Sequence, residues 1–223
     1  GGVCVHLEKS IPAEGGLGGG SSNAAATLLA LNKLHDQPLG QATLHELAAE
    51  LGSDVPFFMQ SEAAVAKGRG EIIEPVAPLE ALDGKSLLLV RPGFGVPTPW
   101  AYQGLAKFPG AKNRPLGQAD ELAKNLANGS LAEAGDAFYN SLEAPVFDKF
   151  PLLKLIKQHA LANGAEGALL CGSGSTVFAI FPDAATAQSL SQSLVSKFGQ
   201  QSLVQTVSLP GDFPKVKNST ANP

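Results

Sequence analysis

The chain has 223 residues, 44% hydrophobic and 16% charged, with a net charge of −4 at neutral pH. That balance suits one or two globular domains with a substantial core and excludes a disordered or fibrous protein. The acidic excess argues against broad nucleic-acid binding, and no apolar run approaches the roughly 20 residues that span a bilayer.

The sequence opens at Gly1 without a methionine, on the alternating segment Val3-Cys-Val-His-Leu7, which reads as a strand inside a sheet. Such a start points to a piece of a longer protein. With no basic, apolar leader, a cytoplasmic location is expected, or the plastid stroma if a transit segment has been lost. Cys4 and Cys171 sit in separate apolar segments without metal-ligand spacing, so two buried free thiols are expected rather than a disulfide or a zinc site.

Next comes Pro12-Ala-Glu-Gly-Gly-Leu-Gly-Gly-Gly-Ser-Ser-Asn-Ala24, a glycine-rich loop running into a helical pattern carried by Ala24, Leu28, Leu31 and Leu34. Five glycines let the backbone approach a ligand and aim successive N–H groups at one anion. Ser21, Ser22 and Asn23 suit a helix N-cap, and the helix start adds orphan donors and a positive dipole end, which favour phosphate. A flexible linker has similar composition, but Pro12 stiffens the entry and a helix follows without a break. The loop is no Walker motif, because no lysine lies between Ile11 and Asn32. Nor is it a dinucleotide fingerprint, because Ser21 stands where the third glycine belongs.

Residues 35–40 carry breakers and form a loop. Thr43-Leu-His-Glu46 is a capping box opening a short helix with Leu44, Leu47, Ala48 and Leu51 on its apolar face and Gly52 as its stop. Asp54 follows in the turn before Pro56. An acid past a helix C-terminus opposes the dipole, which suggests a function, although an Asx turn explains it locally. Residues 63–66 and 72–76 form a strand pair around the turn Lys67-Gly-Arg-Gly70, whose cations read as solvated turn charges rather than phosphate ligands.

A loop over 75–85 marks a candidate boundary. Residues 86–90 are a strand, after which Thr98 caps a helix with Pro99 at its first position. Phe94, Trp100 and Tyr102 cluster beside it, as core or as a surface on which a base stacks. Residues 107–115 are a polar loop. Helices occupy 118–126, 131–138 and 151–163, with His159 at the edge of the last one's apolar face and Phe138-Tyr-Asn-Ser-Leu-Glu143 limited to packing and capping. A β-turn-β unit covers 168–181 around Gly172-Ser-Gly-Ser175, then a helix over 184–198 and a strand over 202–209. From residue 86 the order is strand, helices, strand, strand, helix, strand: a ferredoxin-like split β-α-β with extra helices in its first crossover. Residues 212–223 form a polar tail expected to be disordered.

The run Pro-x-x-x-Gly-Leu-Gly-Gly-Gly-Ser-Ser-Asn-Ala-Ala resembles the ATP-binding motif of the GHMP kinase superfamily, and its ending is most similar to the branch acting on a diphosphocytidyl sugar alcohol. The resemblance covers nearly all of residues 3–209. It implies an α+β, two-domain fold, with residues 1–84 as the N-terminal ATP-binding domain and 85–211 as the ferredoxin-like C-terminal domain. It also implies an upstream region with a lysine-bearing strand and part of the substrate pocket, which has no counterpart here.

By the same resemblance, Pro12, Gly16, Leu17, Gly18, Gly19, Gly20, Ser21, Ser22 and Asn23 hold ATP. Leu51-Gly-Ser-Asp-Val-Pro-Phe57 looks like the catalytic-aspartate motif, with Asp54 orienting or deprotonating the attacking hydroxyl. Thr98 and Tyr102 match a substrate-side segment whose aromatic holds cytidine. Leu170-Cys-Gly-Ser-Gly-Ser-Thr176 looks like the third glycine motif, with Gly172, Ser173, Gly174 and Ser175 closing over phosphates and substrate. Mg²⁺ is expected to accompany ATP, and no residue is assigned to a metal. The expected partners are ATP and a small alcohol, with no nucleic acid or membrane, in a monomer or homodimer. The rivals are a non-catalytic nucleotide-binding remnant and a kinase for another alcohol such as mevalonate or homoserine.

Overall fold

A computed structural model of the chain describes residues 2–112, 117–129, 131–132, 134–198 and 203–209. The expected tail at 212–223 lies outside the described residues. Helix α1 (Gly19–Leu34) and helix α2 (Gln41–Leu51) pack together and against a 3-10 turn at Pro56–Met59. Their shared core is made largely of small residues: Ala25, Ala48 and Val55 are buried, with Ala24, Leu28, Phe58 and Met59 against them. Small side chains bring the two helix backbones close and fix where the loops at their ends sit.

The strand pair is where the alternation put it. Strands β1 (Ala64–Lys67) and β2 (Ile72–Pro75) form an antiparallel hairpin with Lys67 opposite Ile72. Lys67 is tied to Glu74 at 2.6 Å and to Asp120 at 3.1 Å, and those two carboxylates raise its pKa. Its charge is thus paired with acids while the side chain stays part-exposed.

A four-stranded antiparallel sheet in the order β4-β5-β3-β6 follows, made of β3 (Ser86–Arg91), β4 (Gly167–Leu170), β5 (Val177–Phe181) and β6 (Leu203–Ser208). This is the order of a ferredoxin-like split β-α-β. Its first crossover holds, among the described residues, the helices α3 (Thr98–Gly104), α4 (Gln118–Ala127), α5 (Glu143–Lys149) and α6 (Pro151–Ala162). Helix α7 (Ala184–Phe198) occupies the second. Leu88 and Val90 of β3 join Leu153 and Ile156 of α6 and Leu190 and Leu194 of α7 in the main core. On the other face Leu87, Phe178 and Ile180 meet Leu122 and Leu126 of α4. Each fully buried Leu or Phe stabilises the fold by about 1.5–3 kcal/mol. Among the described residues no helix is long and apolar enough to cross a membrane.

Several local expectations fail for identifiable reasons. Residues 3–7 form no strand, and Val3, Val5 and Leu7 are more than half exposed, because no described strand lies beside them to complete a ladder. Cys4 is accordingly exposed rather than buried, although both cysteines are free as expected. Helix α1 starts earlier than Ser21, with Gly18 at its N-cap in the left-handed region. The capping box at Thr43 does not form. Buried Asn32 holds the N–H and the carbonyl of Leu39, each at 3.1 Å, so the chain enters α2 at Gly40 and Thr43 is already inside the helix. Gly52 takes an extended rather than a left-handed conformation. The expected helix over 131–138 is reduced to turns and one 3-10 turn at Gly135–Ala137, since Gly129 ends α4 in the left-handed region and Gly135 interrupts the following stretch. Leu131 and Ala134 remain buried.

Candidate active site

The two glycine loops are built against one another. Gly16 has φ +73°, and a Cβ added there would lie 1.9 Å from the Cys171 carbonyl oxygen. Only glycine allows both the conformation and the approach. On either side of this contact, the Ser175 N–H donates to the Glu14 carbonyl and the Thr176 N–H to the Gly15 carbonyl, both at 3.2 Å. The Arg91 guanidinium donates to the Ala13 carbonyl at 3.1 Å, tying the end of β3 to the start of the loop. Gly18 is crowded from another direction, since a Cβ there would meet the Phe58 ring edge at 2.5 Å. The loop is therefore clamped between the third glycine motif and the 3-10 turn that follows Asp54.

This clamping leaves the start of α1 facing open space. The first-turn N–H groups of a helix have no carbonyl partner inside it. No acidic residue lies in that turn, and a Cβ on Gly20 would meet nothing within 4 Å. Donors without acceptors, at the positive end of a dipole and beside room for a ligand, fit a phosphate.

One cavity of about 250 Å³ runs past these donors. Its lining includes Pro12, Gly16, Leu17, Gly18, Gly19, Gly20 and Ser21, together with Asp54, Thr98, Tyr102, Gly172 and Ser173. Residues as far apart in sequence as Pro12 and Ser173 thus share one wall. A second cavity of about 310 Å³ shares Gly16, Leu17, Gly18 and Asp54 and extends toward Phe57, Ala66 and Gly70. A larger groove of about 670 Å³, past His159, Asn163 and Lys197, contains none of the motif residues.

Asp54 is exposed in this cavity, while its neighbours Val55 and Pro56 are buried and anchor the turn. The hairpin turn abuts it: a Cβ on Gly70 would lie 3.4 Å from Asp54 Oδ1. Thr98 does not cap α3, where Pro97 precedes it at the N-cap. Its hydroxyl instead meets the Ser173 hydroxyl at 2.8 Å. Tyr102 is 61% exposed at the rim, free to stack on a ring.

Not every expected residue reaches the cavity. Ser175 is fully buried and its hydroxyl donates to the Phe94 carbonyl, so it secures the loop from behind. Gly174 is also buried, with the Leu170 side chain 3.0 Å from where its Cβ would be. The Ser22 hydroxyl donates to the Gly19 carbonyl at 3.1 Å, and the Asn23 carbonyl accepts from Thr27, so both belong to the helix rather than to the cavity lining. Arg69 is exposed, 3.9 Å from Glu71.

Lys9, Glu14 and Arg91 were not legible as site residues. Lys9 lines the cavity beside Ile11 but stands in an exposed segment with no local pattern. Arg91 had one signal, a cation ending an otherwise apolar strand. For Mg²⁺, no group of three or more His, Cys, Asp or Glu among the described residues could hold a metal ion.

Comparison with known proteins places the chain in a family. Residues 1–62 match the family of GHMP kinases N terminal domain, and residues 122–201 match GHMP kinases C terminal. The 4-diphosphocytidyl-2-C-methyl-D-erythritol kinase of Thermodesulfovibrio yellowstonii is 41% identical over 192 residues, which are 84% of this chain and 65% of the relative. The enzyme of the same name from Syntrophotalea carbinolica is 39% identical, with 89% and 67% covered. The chain thus spans just under two thirds of the length of the first of these relatives. A crystal structure of 4-(cytidine 5'-diphospho)-2C-methyl-D-erythritol kinase superposes with a TM-score of 0.70 at 34% identity, covering 91% of this chain and 69% of that one. A homoserine kinase from Cytophaga hutchinsonii superposes equally well at 21% identity, which shows the fold alone.

Proposed function

The chain belongs to the GHMP kinase family, and from that premise we propose that it transfers the γ-phosphoryl group of ATP to the 2-hydroxyl of 4-diphosphocytidyl-2-C-methyl-D-erythritol, in non-mevalonate isoprenoid precursor synthesis. The observation that carries the reading is the single cavity lined at once by the start of α1, Asp54, Thr98, Tyr102 and Gly172. Residues 1–84 form the donor side in this reading and residues 85–211 the acceptor side.

The amides of Gly19, Gly20 and Ser21 hold the phosphates in place through backbone donors and the helix dipole. Because phosphoryl transfer asks the protein mainly for positioning and charge stabilisation, fixing the donor in this way is the larger part of catalysis. Asp54 faces the same space and orients the acceptor hydroxyl, taking its proton as the oxygen–phosphorus bond forms and the bond to the leaving ADP breaks. Thr98 and Ser173 hold the acceptor side in register, and Tyr102 stacks on the cytosine. Mg²⁺ arriving with the nucleotide would supply neutralisation of charge at the transferred group.

The test is phosphoryl transfer from ATP to the diphosphocytidyl alcohol, read as ADP release and product mass, with homoserine and mevalonate as competing acceptors. Asp54→Asn is expected to lower transfer by about 10²–10⁴-fold with ATP affinity retained. Wild-type rates in that variant would overturn the role of Asp54, and a preference for homoserine or mevalonate would overturn the acceptor.

A further inference from the structure

Both donor hydrogens of the Asn140 amide are spent on the third glycine loop. Its Nδ2 donates to the Leu170 carbonyl at 2.9 Å and to the Gly172 carbonyl at 2.7 Å, 30 and 32 residues away, while its Oδ1 accepts the Leu142 N–H at 2.9 Å. The Glu143 carboxylate completes the set: Oε1 accepts the Leu170 N–H at 3.0 Å, and both oxygens accept from Lys157 Nζ, at 2.9 and 2.7 Å. One turn of chain at 140–143 therefore takes hold of the N–H and carbonyl of Leu170 and the carbonyl of Gly172.

The amides that close the loop are spent elsewhere. Gly174 N–H returns to the Cys171 carbonyl, and Ser175 and Thr176 donate to the first glycine loop. The peptide between Gly172 and Ser173 is planar and trans, so its carbonyl and its N–H point in opposite directions. Asn140 holds the carbonyl and so turns the Ser173 N–H away from itself. Among the described residues no acceptor takes that N–H, although Ser173 is buried at 6% exposure. Gly172 and Ser173 line the cavity together with Thr98, whose hydroxyl meets that of Ser173, and Tyr102.

We propose that Asn140 is a positioning residue for the alcohol acceptor: by fixing the Gly172 carbonyl it aims the Ser173 N–H, and with it the Ser173–Thr98 hydroxyl pair, at the acceptor's phosphate or hydroxyl oxygens. This rests on the kinase reading given above. Asn140 itself reaches only the third glycine loop, and the first glycine loop has contacts of its own, to Arg91 and Phe58.

Asn140→Asp keeps the shape of the side chain and replaces the donor with an acceptor facing two carbonyls. In steady-state assays the expected result is an acceptor KM raised tenfold or more with the ATP KM within twofold, and faster amide hydrogen exchange at residues 171–174 but not at 18–21. Should Asn140→Asp fold poorly, Asn140→Ser, which keeps one donor, provides the same KM comparison. An unchanged acceptor KM, or equal rises in both KM values, overturns the proposal while wild-type transfer leaves the kinase reading intact. If the wild-type chain prefers another alcohol, the split is measured on that alcohol and only the acceptor's identity falls. A wild-type chain that transfers to none overturns both.

Discussion

Gly16 and Cys171 meet backbone to backbone, so closely that any side chain on Gly16 would overlap the Cys171 carbonyl. Two consequences separate the glycines of the first loop by role. Gly16→Ala must relieve both the overlap and a φ of +73°, for a combined cost of about 2–6 kcal/mol. It is expected to lower the midpoint of urea unfolding and to part the two loops. Gly20→Ala has open space around it and lies inside α1, where alanine favours the helix by about 0.5–1 kcal/mol. Its unfolding midpoint is expected to hold or rise while ATP binding weakens by about tenfold, or ~1.4 kcal/mol, because the new methyl enters the cavity. Equal destabilisation by both substitutions would show that the two positions do not differ as described.

The hairpin turn supplies the next expectation. Gly70 has φ +119°, and a Cβ there would lie 3.2 Å from the Ser53 carbonyl and 3.4 Å from Asp54 Oδ1. Gly70→Ala should push the Asp54 turn by a fraction of an ångström. Misplacement of a reacting group on that scale costs about ten to a hundredfold in rate. The expected signature is a fall in kcat with ATP affinity unchanged, and a kcat at the wild-type level would mean that the turn does not set the position of Asp54.

What could be read beforehand was what chain neighbours decide. Glycine spacing announced the loop and the helix after it, and alternation with breakers announced β3, β4, β5 and the sheet order that follows from them. What could not be read was where a polar side chain would spend its bonds. Thr98 has every local feature of a cap, yet its partner is Ser173, 75 residues on. Thr43 and Glu46 form a capping box on paper, but Asn32 moves the helix entry upstream. The alternation at residues 3–7 is real, and it still makes no strand without a neighbour to pair with. The run Phe138–Glu143 reads locally as packing and capping, because nothing near Asn140 in sequence shows that Leu170 and Gly172 will arrive beside it.

Acid sensitivity should have one local source at α7. Asp183 precedes the helix and its Oδ1 accepts the Thr186 N–H at 2.8 Å and the Thr186 hydroxyl at 3.0 Å. The bond from the Thr186 backbone, then that from its hydroxyl, hold the carboxyl below its ordinary value. A folded pKa below the unfolded one means the stabilisation is present above the unfolded value, near 4, and is lost as pH falls through the folded one. Asp183→Asn is therefore expected to be less stable than wild type at pH 7, with the gap closing as the pH falls through the lowered carboxyl pKa. A gap that stays constant over that range would assign the effect to packing rather than to charge.

The two cysteines should label unequally. Cys4 is exposed, whereas Cys171 is part-buried beside the loop junction, and burial pushes its thiol up to about 12. Since the thiolate is the nucleophile, only about one part in ten thousand of Cys171 is reactive at pH 8. Iodoacetamide is expected to add once to the native protein, at Cys4, and twice in denaturant. Because the Cys171 backbone packs on Gly16, its labelling also reports on whether the two glycine loops are closed together. Gly16→Ala should therefore speed alkylation of Cys171 and leave Cys4 unaffected. Rapid double labelling of the native wild type would show that the junction opens freely, and the clamped loop would then no longer account for a fixed phosphate site.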